Sequence, residues 1–297
     1  MEDRYRLKKK IEQVKTILET LPYIKKYANK IFVIKYGGSA QINSELKDKF
    51  AQDILLMYLV GIKPVIVHGG GNKINSILDK MQIESKFIDG FRVTDEKVME
   101  VVEMVLAGNI NKEITSLLNE HGAKALGITG KDASMLKAVP KDGGKYGLVG
   151  NIVDIDNSVI LNLLAEKFIP VIAPIASGET IGHPGYNINA DLAASKIAAS
   201  LNAEKIIFMT DTPGVLDKEK NLFDTLIEDE IIDLKNDGTI EGGMIPKVDA
   251  CIEAIDGGVH KAHILDGRVE HALLLEIFTS SGVGTVIKKW LSYEKNR

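Results

Sequence analysis

Two apolar runs that each stop at glycine constrain this chain more than anything else in it. The first reads Ile31-Phe32-Val33-Ile34-Lys35-Tyr36-Gly37-Gly38-Ser39, the second Pro64-Val65-Ile66-Val67-His68-Gly69-Gly70-Gly71-Asn72. In both, a β-branched strand breaks at glycine and a helical pattern begins. Glycine lets the backbone turn sharply and approach a ligand with no Cβ in the way. The helix that follows opens with unpaired N–H groups and a partial positive charge, which suits an anion. Two such turns, the first carrying a lysine, point to a phosphate-rich ligand.

The rest of the chain repeats that alternation. Helical patterns span 46–60, the stretch after Gly71, about 95–121, 157–167 and 189–201; apolar strands lie at 124–128, 168–173, 205–209 and 263–265. Hairpins are expected around 84–94 and 134–156. Strands alternating with helices predict an α/β fold, with a mainly parallel sheet covered on both faces. Residues 1–30 read as a helical extension with Leu7, Ile11, Val14, Leu18 and Leu21 on one face, ended or kinked by Pro22. That face packs either on its own domain or on a partner subunit. A lobe boundary is expected just before Lys205, although no linker marks it.

Bulk properties narrow the function. The net charge of −4 supplies no field that would draw the chain to nucleic acid or an anionic membrane. No apolar run reaches the ~20 residues that cross a bilayer, and Lys8-Lys9-Lys10 precedes an amphipathic pattern and not an apolar signal region. The single Cys251 allows no intrachain disulfide framework and fits a reducing cytoplasm. There is no G-x-x-x-x-G-K-[ST], no G-x-G-x-x-G, no G-x-S-x-G and no zinc-type His/Cys spacing.

Ligands of parallel sheets bind at the carboxyl ends of strands, where Lys35, His68, Gly69, Gly70, Gly71 and Asp211 fall. Phosphoryl transfer needs mainly positioning and positive charge. Lys35 beside Gly37-Gly38 and Lys247 after Gly242-Gly243 are the candidate cations. Arg92 after Gly90 is a candidate carboxylate clamp, because its fork binds bidentately. Asn187, Asn189 and Asp191 place three polar groups before a helix, as ligand contacts or as simple N-caps. His68 either satisfies a backbone group or touches a ligand.

Taken together and in order, Lys35-Tyr36-Gly37-Gly38, His68-Gly69-Gly70-Gly71, Gly90-Phe91-Arg92-Val93-Thr94, Asn187-Ile188-Asn189-Ala190-Asp191, Thr210-Asp211-Thr212-Pro213-Gly214-Val215 and Gly242-Gly243-Met244-Ile245-Pro246-Lys247 resemble the amino acid kinase family over about residues 10–288. The resemblance implies an open αβα sandwich with two lobes, 31–203 binding N-acetyl-L-glutamate and 204–297 binding ATP with Mg2+, behind the extension 1–30. It implies transfer of the γ-phosphoryl group to the side-chain carboxylate of N-acetyl-L-glutamate, in the cytoplasm. By motif, Lys35 and Lys247 would stabilise the moving group, with Asp191 holding both. Gly37, Gly38 and Gly69 would line the phosphoryl site, with N–H groups of Gly38 and Gly70 on its oxygens. Gly70, Gly71, Arg92 and Asn187 would hold the substrate, and Thr210, Asp211, Gly242 and Gly243 would border ATP. No protein metal site is implied. No base is needed, since a carboxylate acceptor is already ionised at pH 7.

The extension and the tail resemble those of arginine-inhibited members that form homo-hexamers, trimers of dimers. That implies an L-arginine effector at His263, Glu276 and the Gly282 backbone; on the residues alone Glu276 reads as a helix-surface carboxylate. The alternatives are a family member acting on aspartate, glutamate, carbamate or a nucleotide, and a catalytically silent arginine sensor. The Gly90-Phe91-Arg92 clamp and Asn187 argue against the first, the intact Lys35, Asp191 and Lys247 against the second.

Overall fold

The structure, a computed structural model, describes residues 2–41 and 43–289; the end of the expected 204–297 lobe, residues 290–297, lies outside the described residues. Helix α1 (Glu2–Tyr27) precedes β1 (Ile31–Tyr36), α2 (Ser44–Leu59), β2 (Lys63–His68) and α3 (Gly71–Lys80). A short hairpin, β3 (Phe87–Ile88) and β4 (Phe91–Arg92), leads into α4 (Glu96–Glu103), a π-helical turn (Met104–Ile110) and α5 (Asn111–Glu120). Then come β5 (Ala125–Thr129), the antiparallel pair β6 (Leu136–Pro140) and β7 (Gly150–Ile155), α6 (Ser158–Ala165), β8 (Ile169–Ala173), the small pair β9 (Ile175–Ala176) and β10 (Tyr186–Asn187), and α7 (Ala190–Ser200). The last third holds β11 (Lys205–Thr210), β12 (Thr225–Leu226), α8 (Glu228–Asn236), α9 (Ile245–Asp256), β13 (Lys261–Asp266), α10 (Ala272–Phe278) and β14 (Thr285–Ile287).

One sheet of eight strands, ordered β12-β14-β13-β11-β1-β2-β8-β5, runs through the molecule. Every pairing is parallel except β13 with β14. Side chains alternate across its strands: Phe32, Ile34 and Ile66 enter a core under α2 to α5, while Val33, Val65 and Val67 enter a second core under α7 and α9. Burial on both faces is why these strands read as continuous apolar runs. After β1 the chain builds outward through β2, and it later returns to the other side of β1 with β11. That reversal opens a crevice at the strand ends.

The structure revises or decides four points. Helix α1 runs through Pro22 to Tyr27, because Tyr23, Ile24 and Tyr27 pack into the first core and hold the turns beyond the proline. Its apolar face from Leu7 to Leu21 does not pack on its own subunit: Leu7, Ile11, Val14, Ile17, Leu18 and Leu21 are 46–64% exposed. The long helix after Asp95 is interrupted by the π turn. The charged stretch after Val215 contains α8, whose Glu230 side chain caps the Ile227 N–H at 2.9 Å.

Candidate functional site

A cleft of about 810 Å³ opens where β1, β2 and β11 end. Lys35, Gly37, Gly38, Gly69, Gly70, Gly71, Arg92, Asn187 and Asp211 all line it. Lys35 projects from the end of β1 and pairs with Asp191 at 2.9 Å. The glycines beside it keep the space next to it open, and Gly38 also adopts a left-handed backbone that favours glycine. A Cβ on Gly37 would stand 2.8 Å from the Lys35 Nζ; one on Gly38, at φ +69°, would stand 2.5 Å from the Asp211 carboxylate. At Gly70 a side chain would run into Leu106 and Ile110 of the π turn. Such turns recur at functional sites, and here the turn forms one wall of the cleft.

Arg92 is 6% exposed. Its guanidinium stacks 4.6 Å from the Phe87 ring and donates to Ser85 Oγ (2.8 Å), Asn75 Oδ1 (2.6 Å) and the Gly71 carbonyl (3.3 Å). All three oxygens are neutral, and no carboxylate pairs with Arg92 among the described residues. Burial pulls its pKa below the usual arginine range. A buried cation with only neutral partners favours an anionic ligand, which would restore the charge balance. Asn187 Nδ2 reaches Thr94 Oγ1 at 3.3 Å, and Thr94 in turn donates to the Arg92 carbonyl at 2.8 Å. Asn189 caps α7 by accepting from the N–H groups of Asp191 and Leu192.

Lys247 lies elsewhere. It sits in the first turn of α9, outside the cleft lining, and donates to the Gly243 carbonyl at 3.2 Å. Asp191 therefore holds Lys35 alone here, because Lys247 reaches back along its own helix. Yet α7 and α9 run side by side in one direction. Ser195 Oγ donates to the Ala250 carbonyl (2.7 Å), Lys196 pairs with Glu253 (2.8 Å), and Gly257 lies against Ala199. Their N-termini, with Asp191 on one and Lys247 on the other, face the same end of the sheet. Gly242 and Gly243 form the exposed turn before α9. Thr210 is buried and its hydroxyl is occupied by Thr212, so its side chain shapes the turn at the end of β11.

His68 is a buried structural group. Its Nδ1 donates to the Gly69 carbonyl at 3.0 Å, and burial lowers its pKa to about 4. The ring is neutral at working pH.

A second polar cluster lies under the end of α1. His263 Nδ1 meets Glu276 Oε1 at 2.8 Å, and Glu276 Oε2 accepts the Val283 N–H at 2.9 Å. Glu276 is buried, against the surface position its helix pattern suggests. A Cβ on Gly282 would collide with its carboxylate. Lys205, 4% exposed, stands 5.0 Å over the Tyr27 ring, and burial lowers it to about 8. His263 Nε2 is buried with no hydrogen-bond partner. Burial, then the Lys205 charge, lowers His263 to about 4.

The His263 value fixes a pH dependence. A histidine held neutral in the fold and titrating near 6.5 when unfolded stabilises the protein fully above pH 6.5, and that stability is lost as pH falls toward 4. At pH 5 the loss is about 2 kcal/mol. Between pH 7.5 and 5, His263→Asn should therefore lose about 2 kcal/mol less than wild type in urea unfolding. Parallel losses would mean that His263 takes up its proton in the fold.

Sequence reasoning missed Asn75, Ser85, Asn111 and Lys205. None of the four carried a signal in the sequence, since each gains its role from partners that only the fold brings together.

The family model described as the amino acid kinase family matches residues 30–266. The chain is 67% identical to the acetylglutamate kinase of a Nitratiruptor species, over 95% of this chain and 99% of that one. It is 66% identical to that of Sulfurimonas denitrificans, with the same coverage. Among solved structures it resembles the N-acetylglutamate synthase of Neisseria gonorrhoeae complexed with coenzyme A and N-acetyl-glutamate, at TM-score 0.81 and 26% identity over 93% of this chain. The same synthase complexed with coenzyme A and L-arginine matches at TM-score 0.79 and 25% identity, also over 93% of this chain. The chain spans 63–65% of the synthase's length.

Proposed function

The chain belongs to the amino acid kinase family, and from that premise we propose that it transfers the γ-phosphoryl group of ATP to the side-chain carboxylate of N-acetyl-L-glutamate. The product would be N-acetyl-L-glutamyl 5-phosphate, a step of arginine biosynthesis in the cytoplasm. The observation that carries this reading is Arg92: a buried guanidinium with neutral partners, lining the same cleft as Lys35 and the glycine turns. A carboxylate substrate would complete it. Lys35 and the N–H groups of Gly38 and Gly70 would meet the transferring phosphoryl group, and Asp191 would position Lys35 and take no proton. Asn187 would share the substrate with Arg92. Asp211 and the turns at Thr210 and Gly242-Gly243 would border the nucleotide, and Lys247 would arrive from that side when the lobes 31–203 and 204–297 close.

No group of three or more acidic, histidine or cysteine side chains that could hold a metal lies among the described residues. Magnesium would therefore come with the ATP phosphates, supplying charge neutralisation there, in keeping with its habit of retaining water.

ADP release with N-acetyl-L-glutamate, L-glutamate, L-aspartate and carbamate tests the reading. Turnover with the acetylated substrate far above the others is expected. Preference for another acceptor would make the chain a different kinase of the family. No ADP from any of them, with arginine still bound, would make it a sensor.

The cluster at Lys205, His263 and Glu276 offers a cation and a carboxylate in one buried place, and His263 Nε2 there has no hydrogen-bond partner. Such a pair fits the two ends of a zwitterionic amino acid with a basic side chain. We propose L-arginine as the ligand and feedback inhibition as its effect, with the Gly282 backbone as part of the site. The cluster touches α1 through Tyr27, and the exposed stripe of α1 would be covered by a second subunit in a hexamer built as a trimer of dimers. Deleting residues 1–20 should leave an active dimer, by light scattering, that arginine inhibits at least tenfold less well. A truncated hexamer that stays fully arginine-sensitive would contradict both assignments.

A further inference from the structure

The triple-glycine loop owes its shape to a residue that never touches the cleft. Asn111, fully buried, begins α5 directly after the π turn. One Nδ2 proton goes to the Val171 carbonyl of β8 (2.8 Å); the other is shared between His68 Nε2 (3.2 Å) and the Ile128 carbonyl of β5 (3.3 Å). Its Oδ1 accepts from Lys112 Nζ at 3.1 Å, and Gly127 leaves it room. The amide is thus fixed with its NH2 group toward His68, and a neutral imidazole facing a donor must accept at Nε2. The ring's one proton is then on Nδ1, which donates to the Gly69 carbonyl.

That carbonyl shares a peptide unit with the Gly70 N–H. A trans peptide is planar and its C=O and N–H point opposite ways. Holding the Gly69 oxygen toward buried His68 therefore turns the Gly70 N–H away from it, on the side where Gly70 lines the cleft. Among the described residues this N–H donates to no backbone carbonyl. Without the His68 contact, this glycine-rich unit has little else to prevent a flip: the Gln41 amide reaches the same oxygen only at 3.5 Å.

We propose that Asn111 is a positioning residue for phosphoryl transfer, acting through the tautomer of His68 to aim the Gly70 N–H at the reacting group. This rests on the kinase reading above. The carboxamide is specified because a leucine would leave His68 Nε2 facing no donor. An aspartate would present an acceptor and demand a proton on Nε2.

The first readout needs no turnover. In wild-type protein with 15N-labelled histidine, His68 should show a protonated Nδ1 and a bare Nε2, unchanged from about pH 8 to 5.5 because the ring stays neutral down to about 4. A protonated Nε2 would overturn the proposal. Asn111→Asp should move the proton to Nε2 and lower kcat about tenfold or more, as loss of an oriented donor does, with the KM for ATP changed less than about threefold. In a His68→Asn background the new amide can itself donate to the Gly69 carbonyl, so Asn111→Asp should there change kcat less than about twofold. Equal losses in the two backgrounds would reduce Asn111 to a packing role. Should Asn111→Asp not fold, His68→Asn against His68→Leu makes the same comparison: the amide should keep kcat within about threefold while the leucine loses about tenfold. Equal losses would again overturn it. Wild-type protein with the stated tautomer but no turnover would instead sink the kinase reading and leave the hydrogen-bond chain intact.

Discussion

Lys247→Ala is expected to lower kcat on the order of 10²–10³-fold while leaving the KM for N-acetyl-L-glutamate within about threefold. The lysine is outside the cleft and bonds the Gly243 carbonyl in the turn before its own helix, which by itself describes an ordinary surface cation. Its neighbourhood argues otherwise. Helix α9 lies parallel to α7, and the first turn of α7 carries Asp191, already paired with Lys35. The N-terminus of α7 lines the crevice and adds its partial positive charge there. Under the proposed closure of the lobes, Lys247 would come to the side of the phosphoryl group opposite Lys35. A cation that arrives only in the closed state stabilises the transition state more than the bound substrate, so its loss falls on kcat. Steady-state kinetics under saturating ATP makes the measurement. A variant with near wild-type kcat would remove Lys247 from the mechanism and leave Lys35 and the glycine N–H groups to neutralise the charge alone.

Arg92→Lys should act on the other parameter. The KM for N-acetyl-L-glutamate should rise about 10- to 100-fold, the equivalent of losing charged hydrogen bonds to a carboxylate, with the KM for ATP little changed. The guanidinium occupies three directions at once. One nitrogen meets Ser85, another meets Asn75 and Gly71, and its face lies on Phe87. An ammonium reproduces neither the fork nor the stack, so the short β3–β4 hairpin would lose an anchor as well as a ligand contact. A second variant separates the two: Asn75→Ala loosens the arginine without removing its charge and should raise KM by a smaller factor. Equal losses for both substrates in Arg92→Lys would make Arg92 a support for the lobe as a whole.

What could be read before folding, and what could not, divides along one physical line. The strands around Val33 and Val65 were legible because a sheet covered on both faces needs unbroken apolar runs. The two glycine turns were legible because each ends an apolar strand, and in the fold a side chain there would crowd Lys35 or Leu106 and Ile110. Arg92 stood out by its type and its place after Gly90. Its partners Asn75 and Ser85 did not, since α3 and the loop before β3 meet it only in the folded chain. Asn111 was hidden for the same reason, and also because the π turn ahead of it breaks the 3.6-residue period that assigns helix faces. The expectation that Asp191 holds both lysines combined two spacings that the structure meets one at a time. In the second polar cluster, Glu276 reads as exposed by its pattern and is buried by packing of α10 against α1 and β13.

Transfer of the phosphoryl group to a carboxylate leaves a product whose chemistry is diagnostic. An acyl phosphate reacts with hydroxylamine to give a hydroxamate, whereas a phosphate ester or free phosphate does not. With ATP, magnesium and N-acetyl-L-glutamate in hydroxylamine buffer, a hydroxamate should form in equal amount to ADP, and none when Lys35 is replaced by alanine. ADP released at an undiminished rate with no hydroxamate would contradict transfer to the carboxylate.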